Sequence, residues 1–242
     1  MVNVEHDPDT ERYAYSPKAL ARLVLSYELH ELADRAAAGV PTGSDDDAEP
    51  GEMVGDALSL VHQAQEVLTR AVLFERAKGT SWEAIAEQMD IKRQSAHERY
   101  RETEQAWNDA LHEPFNPIPP GVNPRHRSDF RRLHEAAYAP VSAGKRLDEW
   151  AGRQGYGDHA VTGGLPTLSL LDEMGQLLDG LNYLYRDMYQ PPNPVVRLRL
   201  TERKAALLDR IAIEEDRPSA AAQAEEARAL AAQLRAEIEG TA

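Results

Sequence analysis

Side chains suited to reading a nucleic acid are concentrated between residues 92 and 101. This segment holds four basic residues and one acidic residue, a local charge of +3 in a chain whose formal net charge is −14. Arg93 can form two hydrogen bonds with the edge of guanine, and Gln94 can do the same with adenine. Lys92 and Arg101 have the chemistry to bind phosphate oxygens. These residue types predict contact with double-stranded DNA.

The apolar residues around this segment predict two short helices that cross at a steep angle. Gly79 would end the preceding helix, and Thr80 and Glu83 have the spacing of a capping box that starts the next one. Asp90 falls in the turn between the two helices and must accept a left-handed backbone. The residues expected to form the core of this pair are Ile85, Ala86, Met89, Ile91 and Ala96.

This run resembles the helix-turn-helix of bacterial regulators and of region 4 of sigma factors, over about residues 56–105. The shared residues are Gly79, Ser81, Ile85, Ala86, Met89 and Ile91. It is also similar to actinobacterial helix-turn-helix proteins through Ser81, Trp82, Ile85, Arg93, Gln94 and Ala96. The chain departs from the pattern at Asp90, where glycine is usual, and at Ala96, where valine or isoleucine is commoner.

The resemblance implies that the helix beginning near Arg93 enters the major groove. Hydroxyls and amides at the start of the preceding helix are also suited to phosphate. The residues expected to contact DNA are Thr80, Ser81, Lys92, Arg93, Gln94, Ser95, His97, Glu98 and Arg101. The alternative reading is that Ile85 to Arg101 are two packed helices with charged outer faces.

Composition excludes several other classes of protein. The net charge of −14 argues against a protein that coats DNA or RNA over a wide surface. The absence of cysteine excludes disulfides and thiolate metal sites. No phosphate-binding loop, nucleophile elbow or tight histidine spacing occurs, so we expect no enzyme activity, no cofactor and no metal site. No secretory signal or membrane-length apolar run is present, which predicts a cytoplasmic protein without a membrane partner.

Helical periodicity and proline content predict an all-α fold with a helix-turn-helix domain and a C-terminal helical domain. We expect an N-terminal helix within residues 1–40 and an acidic linker at 41–53. The helix-turn-helix domain would span 54–111, followed by a Pro-rich linker at 112–124. Residues 125–242 would form a helical region that dimerises the protein or senses a small-molecule or protein effector.

Finer patterns predict individual elements. Residues from Val54 to Lys78 would form one helix, with an apolar stripe composed of Leu58, Val61, Ala64, Val67, Leu68, Ala71 and Val72. Further helices are expected at 128–137 and 143–154. Alternation across Val196 to Leu200 predicts a short strand, with Thr201 capping the following helix. The Ala-rich tail from Pro218 is expected to be helical and to pack on its own domain or on a second copy. Because it is short for a coiled coil, simple packing is favoured.

A second basic cluster follows the Pro-rich linker. It could bind flanking phosphates, or it could be a solvated helix face that pairs with acidic segments. Its members are Arg125, His126, Arg127, Arg131, Arg132 and His134.

Three functions are compatible with these patterns. The first is a sequence-specific DNA-binding protein, a transcriptional regulator that acts as a homodimer on two half-sites. The second is a phage or plasmid DNA-packaging or assembly factor, in which the helix-turn-helix recognises a start site and helices build a ring. The third is a module whose helix-turn-helix binds another protein, which the acidic net charge favours.

Overall fold

The computed structural model describes residues 13–43, 48–112, 133–185, 192 and 194–241. Within these residues it contains nine α-helices, one 3₁₀ turn and no strand, which confirms the predicted all-α fold. The α-helices are α1 (Pro17–Ala38), α2 (Glu52–Ala77), α3 (Trp82–Gln88), α4 (Arg93–His112), α5 (Glu135–Tyr138), α6 (Pro140–Arg153), α7 (Leu170–Leu184), α8 (Pro194–Glu214) and α9 (Pro218–Thr241). The 3₁₀ turn is Thr162–Gly164.

Local sequence determines where α1 begins and ends. The Ser16 hydroxyl accepts a hydrogen bond from the Ala19 amide at 3.1 Å, and Pro17 occupies the first helical position, where no amide is needed. The helix ends at Gly39, as the sequence predicts. None of the helices in the described ranges is both long and apolar enough to cross a membrane.

The chain divides into two compact units, 1–167 and 168–242. The larger core of the first unit joins α1 to α5 and α6 and to the C-terminal parts of α2 and α4. It is formed by Leu20, Ala21, Leu23, Val24, Leu73, Trp107, Ala110, Leu133, Ala136, Ala137, Ala143 and Leu147. This grouping differs from the predicted division, which separated the N-terminal helix and the region after residue 124 from the helix-turn-helix domain.

The physical reason is that proline ends a helix without ending a hydrophobic core. Leu133 and Leu147 are almost completely buried, and they belong to the same core as Leu23 of α1. The predicted helix at 128–137 is only partly described, and there it is reduced to the four residues of α5. The next helix begins at Pro140 instead of residue 143. Residues 113–124 of the predicted linker lie outside the described residues.

The second unit consists of α7, α8 and α9. Its core contains Leu177, Leu200, Leu207, Ile211 and Ala220. Small residues of α9 are buried where this helix packs along α8, so the tail packs within its own unit, as predicted.

The predicted strand at Val196 to Leu200 is wrong. These residues lie in α8, which opens at Pro194, and Leu200 is buried with Leu207, two turns further along the helix. Thr201 does not cap a helix. Its hydroxyl instead donates to the Arg197 carbonyl within α8, at 2.8 Å.

Candidate nucleic-acid interface

Helices α2, α3 and α4 surround a small core of their own. It consists of Val72, Trp82, Ile85, Ala86, Ala96 and Tyr100, with Met89 partly buried against it. Ala96 is completely buried, so a small residue is required where α4 crosses α3. Ile91 was expected in this core, but 36% of its surface is exposed.

Sequence reasoning missed the larger members of this core. Trp82, Ile85, Ala86 and Met89 recur at helical spacing, a signal that would have placed the indole inside. Tyr100 lies four residues after Ala96 on the same face of α4. Ile91 is displaced because it directly follows the reversal of the chain. Its amide is used in the turn while its side chain stays at the rim.

The turn between α3 and α4 has the geometry that the sequence predicts. Asp90 adopts φ 52°, in the left-handed region. The Ile91 amide donates to the Ala86 carbonyl at 3.1 Å, and the Asp90 amide donates to the Glu87 carbonyl at 3.3 Å. These two bonds form a Schellman motif, which satisfies the last carbonyls of α3 and fixes the direction of α4.

Gly79 ends α2 by the same device, with φ 88°. The Thr80 amide donates to the Glu75 carbonyl at 3.0 Å, and the Gly79 amide donates to the Arg76 carbonyl at 2.9 Å. The predicted capping box is wrong, however. Ser81 is the N-cap of α3, and its hydroxyl accepts from the Ala84 amide at 3.2 Å.

The Thr80 hydroxyl has a different partner. It donates to Glu75 Oε2 at 2.6 Å, and this bond is the main cause of the lowered pKa of Glu75. Thr80 is therefore engaged within the chain, and it is less exposed than the other predicted DNA contacts. Ser81 is exposed at the N-terminus of α3, which has only seven residues.

Arg76 joins the three helices, a role that the sequence did not reveal. Its Nε lies 2.9 Å from Glu104 Oε1 on α4, and its Nη1 donates to the Thr80 carbonyl at 2.7 Å. Its guanidinium carbon lies 4.7 Å from the centroid of the Trp82 ring, which adds a cation–π contact. One side chain of α2 thus positions both helices of the predicted reading head.

The start of α4 presents the predicted contacts to solvent. The exposed residues of this face are Lys92, Arg93, Gln94, Ser95, His97, Glu98 and Arg101. Within the part of the chain that the structure describes, no ion pair involves Lys92, Arg93 or Arg101. The Gln94 amide donates to Glu98 Oε1 at 2.8 Å, so Glu98 orients the Gln94 side chain.

A shallow hollow lies at the junction of α3 and α4. It has a volume of about 320 Å³ and is lined by Trp82, Arg93, Gln94 and His97. The His97 ring meets the Trp82 ring edge-on, with their centroids 5.5 Å apart. The aromatic surface can contact an apolar group such as the thymine methyl, while Arg93 and Gln94 can donate to neighbouring base edges.

The structure describes only one member of the second basic cluster. Five of its six members lie outside the described residues. The sixth, His134, caps α5 by accepting from the Ala136 amide at 3.1 Å, and its Nε2 lies 3.1 Å from Glu28 Oε1. Since Glu28 is buried and also accepts from Gln63, His134 belongs to a structural network.

Comparison of the chain with protein-family models, curated proteins and solved structures gave no match.

Proposed function

We propose that the chain is a sequence-specific double-stranded DNA-binding protein that acts as a transcriptional regulator. The first turns of α4 would enter the major groove. The observation that carries this proposal is the exposed pair Arg93 and Gln94 at the start of α4, beside an aromatic hollow and on a frame fixed by two Schellman turns. Side chains on a rigid helix can discriminate bases, because their positions do not relax to fit a wrong sequence.

Charge supports selective binding over general binding. The cations of the reading face form no internal ion pairs among the described residues, so they are free to neutralise phosphates. The rest of the chain is strongly acidic, and it would repel DNA that the reading face does not hold. Affinity for unrelated DNA is therefore expected to be low.

The test is selection of binding sites from random duplexes, followed by measurement of Kd by fluorescence anisotropy. Each lost bidentate contact costs about 1–3 kcal/mol, so Arg93→Ala with Gln94→Ala should raise Kd for the selected site at least roughly thirtyfold. The matched control is Arg153→Ala with Gln154→Ala, an exposed pair of the same residue types at the end of α6. Equal binding by both double variants and the wild type would refute the assignment of the reading helix.

The same measurements separate the two alternative functions. A ring of many subunits bound to a single DNA site would favour a packaging factor. Failure to retain any duplex at low salt would favour a module that binds protein, for which the acidic net charge is suited.

A further inference from the structure

The N-terminal half of α2 carries apolar side chains that face solvent. Val54, Leu58, Val61 and Leu68 have 65%, 53%, 52% and 39% of their surface exposed to solvent. The last three belong to the predicted apolar stripe of this helix, of which only Val72, at its C-terminal end, is buried. A row of exposed large apolar residues on one helix marks an interaction surface.

These residues follow the repeat of a helix that pairs with another helix. Val54, Leu58, Val61, Gln65 and Leu68 are separated by alternating steps of four and three residues, which is the spacing of a coiled-coil seam. We call these five residues the α2 seam. Ala57 and Ala64 flank it, seven residues apart and exposed, and their small side chains allow a second helix to approach closely.

The α2 seam faces away from α1. The residues of α2 that bond to α1 are Ser59, Gln63 and Arg70, which contact Arg35 or Glu28. At 100° per residue these three lie on the opposite side of α2 from Val61 and Leu68. Among the described residues, the helices of the first unit therefore leave the seam exposed.

We propose that a second copy of this chain packs on the α2 seam, with the two α2 helices antiparallel and a two-fold axis near Val61. The seam contains no charged residue, so two copies meet without like-charge repulsion in spite of the net charge of −14. A two-fold interface must be complementary to itself. The uncharged and mostly apolar α2 seam, flanked by alanines, meets that requirement. Binding of an unrelated partner would not require the alternating four- and three-residue spacing.

The two α2 helices must be antiparallel because α3 and α4 cover the next residue of the repeat, Val72. Val72 lies four residues after Leu68, and it is buried in the core with Trp82 and Ile85. Helices α3 and α4 therefore block the C-terminal end of the seam. In a parallel pair, α3 and α4 of the two copies would occupy the same space. In an antiparallel pair, α3 and α4 of each copy lie beyond the N-terminus of the other copy's α2.

This arrangement has a consequence for DNA binding, a point that rests on the proposed function. Val72 is eleven residues from Val61, so the two copies of Val72 lie about 33 Å apart along the helix axis at a rise of 1.5 Å per residue. Half-sites on successive turns of duplex DNA are about 34 Å apart. The pairing would thus present two reading heads to one face of the duplex.

Sedimentation of the full chain over a range of concentrations tests the pairing itself. The wild type should dimerise, and Leu58→Glu with Val61→Glu should raise the dimer dissociation constant at least a hundredfold. Because both residues are exposed, helix content should not change, and the thermal midpoint should equal that of the wild type at concentrations where the wild type is monomeric. Ile213→Glu, at an exposed apolar residue of α8, is the control and should dimerise like the wild type. A monomeric wild type, or a double variant that dimerises equally, would overturn the proposal.

Disulfide formation tests the axis and the direction, since the chain has no cysteine. Val61→Cys should cross-link two copies under mild oxidation, because the two residues meet near the axis. Val54→Cys should not, because its two copies would lie about 21 Å apart along the axis. Cross-linking by both variants would show parallel pairing, and cross-linking by neither would exclude the seam.

The two proposals can fail independently. Specific DNA binding by a strictly monomeric chain would retain the function and reject the pairing. A dimer that cross-links through Val61→Cys but binds no DNA would retain the pairing and reject the function.

Discussion

Asp90 carries the main backbone constraint of the turn between α3 and α4. Its φ of 52° lies where a side chain crowds the following carbonyl, and aspartate tolerates this better than most residues. The turn needs this conformation because both Schellman bonds depend on the reversal at this residue. The chain therefore keeps some strain at the point that directs α4.

Replacement of Asp90 by glycine should stabilise the protein. Glycine adopts a left-handed backbone without crowding, so Asp90→Gly should raise the free energy of unfolding by roughly 0.5–1 kcal/mol. Asp56→Gly is the control, because Asp56 lies in a regular helix where glycine is unfavourable, and it should lower stability slightly. Urea unfolding followed by circular dichroism measures both. Equal destabilisation by the two substitutions would contradict the role of the left-handed turn.

Among the elements, α2 positions α3 and α4 through one side chain. Arg76 reaches Glu104 on α4, the Thr80 carbonyl and the Trp82 ring. The Arg76 and Glu104 side chains are about three-quarters buried, so the pair is less screened than a surface ion pair. The mutual positions of the three helices depend on this contact as well as on their core.

Loss of the Arg76 guanidinium should loosen this arrangement. Arg76→Met keeps the aliphatic stem but leaves Glu104 without its partner, and we expect a loss of about 1–2 kcal/mol in the free energy of unfolding. Arg76→Lys retains the charge and should lose less. Arg153→Met, at an exposed arginine at the end of α6, should have no effect. Thermal unfolding distinguishes these variants, and a stable Arg76→Met would show that the apolar core suffices.

Local patterns predicted the end of α2 at Gly79 and the left-handed Asp90, because caps and turns depend on a few adjacent residues. The smaller residues of the core between α3 and α4 were predicted from spacing, whereas Trp82 and Tyr100 were missed. The exposure of the α2 stripe could not be predicted, because periodicity identifies an apolar face but does not show whether another helix covers it. The prediction of a strand at Val196 to Leu200 was wrong for a similar reason. Five alternating residues fit a strand or a helix, and tertiary packing decides between them.

At the scale of the whole molecule, a buried polar network ties the N-terminal helix to the rest of the first unit. Glu28 of α1 accepts hydrogen bonds from Gln63 of α2 and contacts His134 at the start of α5. Arg70 Nε lies 3.7 Å from the same carboxylate. The hydrogen bond with His134 is the main cause of the lowered pKa of Glu28, and it outweighs the opposing effect of burial.

Acid should destabilise the first unit through this carboxylate. Since the pKa of Glu28 is lower in the folded state, its contribution to stability is present above the ordinary glutamate pKa of about 4.3 and is lost as pH falls through the folded value. The difference in thermal midpoint between the wild type and Glu28→Gln should therefore shrink as pH falls from about 5.5 to about 3. In a His134→Gln background this pH dependence should be weaker. A difference that does not change with pH would contradict the assignment.

Helix α4 belongs to both cores of the first unit. Ala96 and Tyr100 pack in the small core with α2 and α3, while Trp107 and Ala110 pack in the larger core with α1, α5 and α6. Arg93 and Trp107 are about 21 Å apart on one continuous helix, so a tilt of only about 3° at Trp107 moves the Arg93 backbone by about 1 Å. The helix thus acts as a lever that is held in a hydrophobic core near its C-terminus and carries Arg93 and Gln94 at its N-terminus. Repacking among α1, α5 and α6 would move these two side chains without altering any residue exposed at the start of α4.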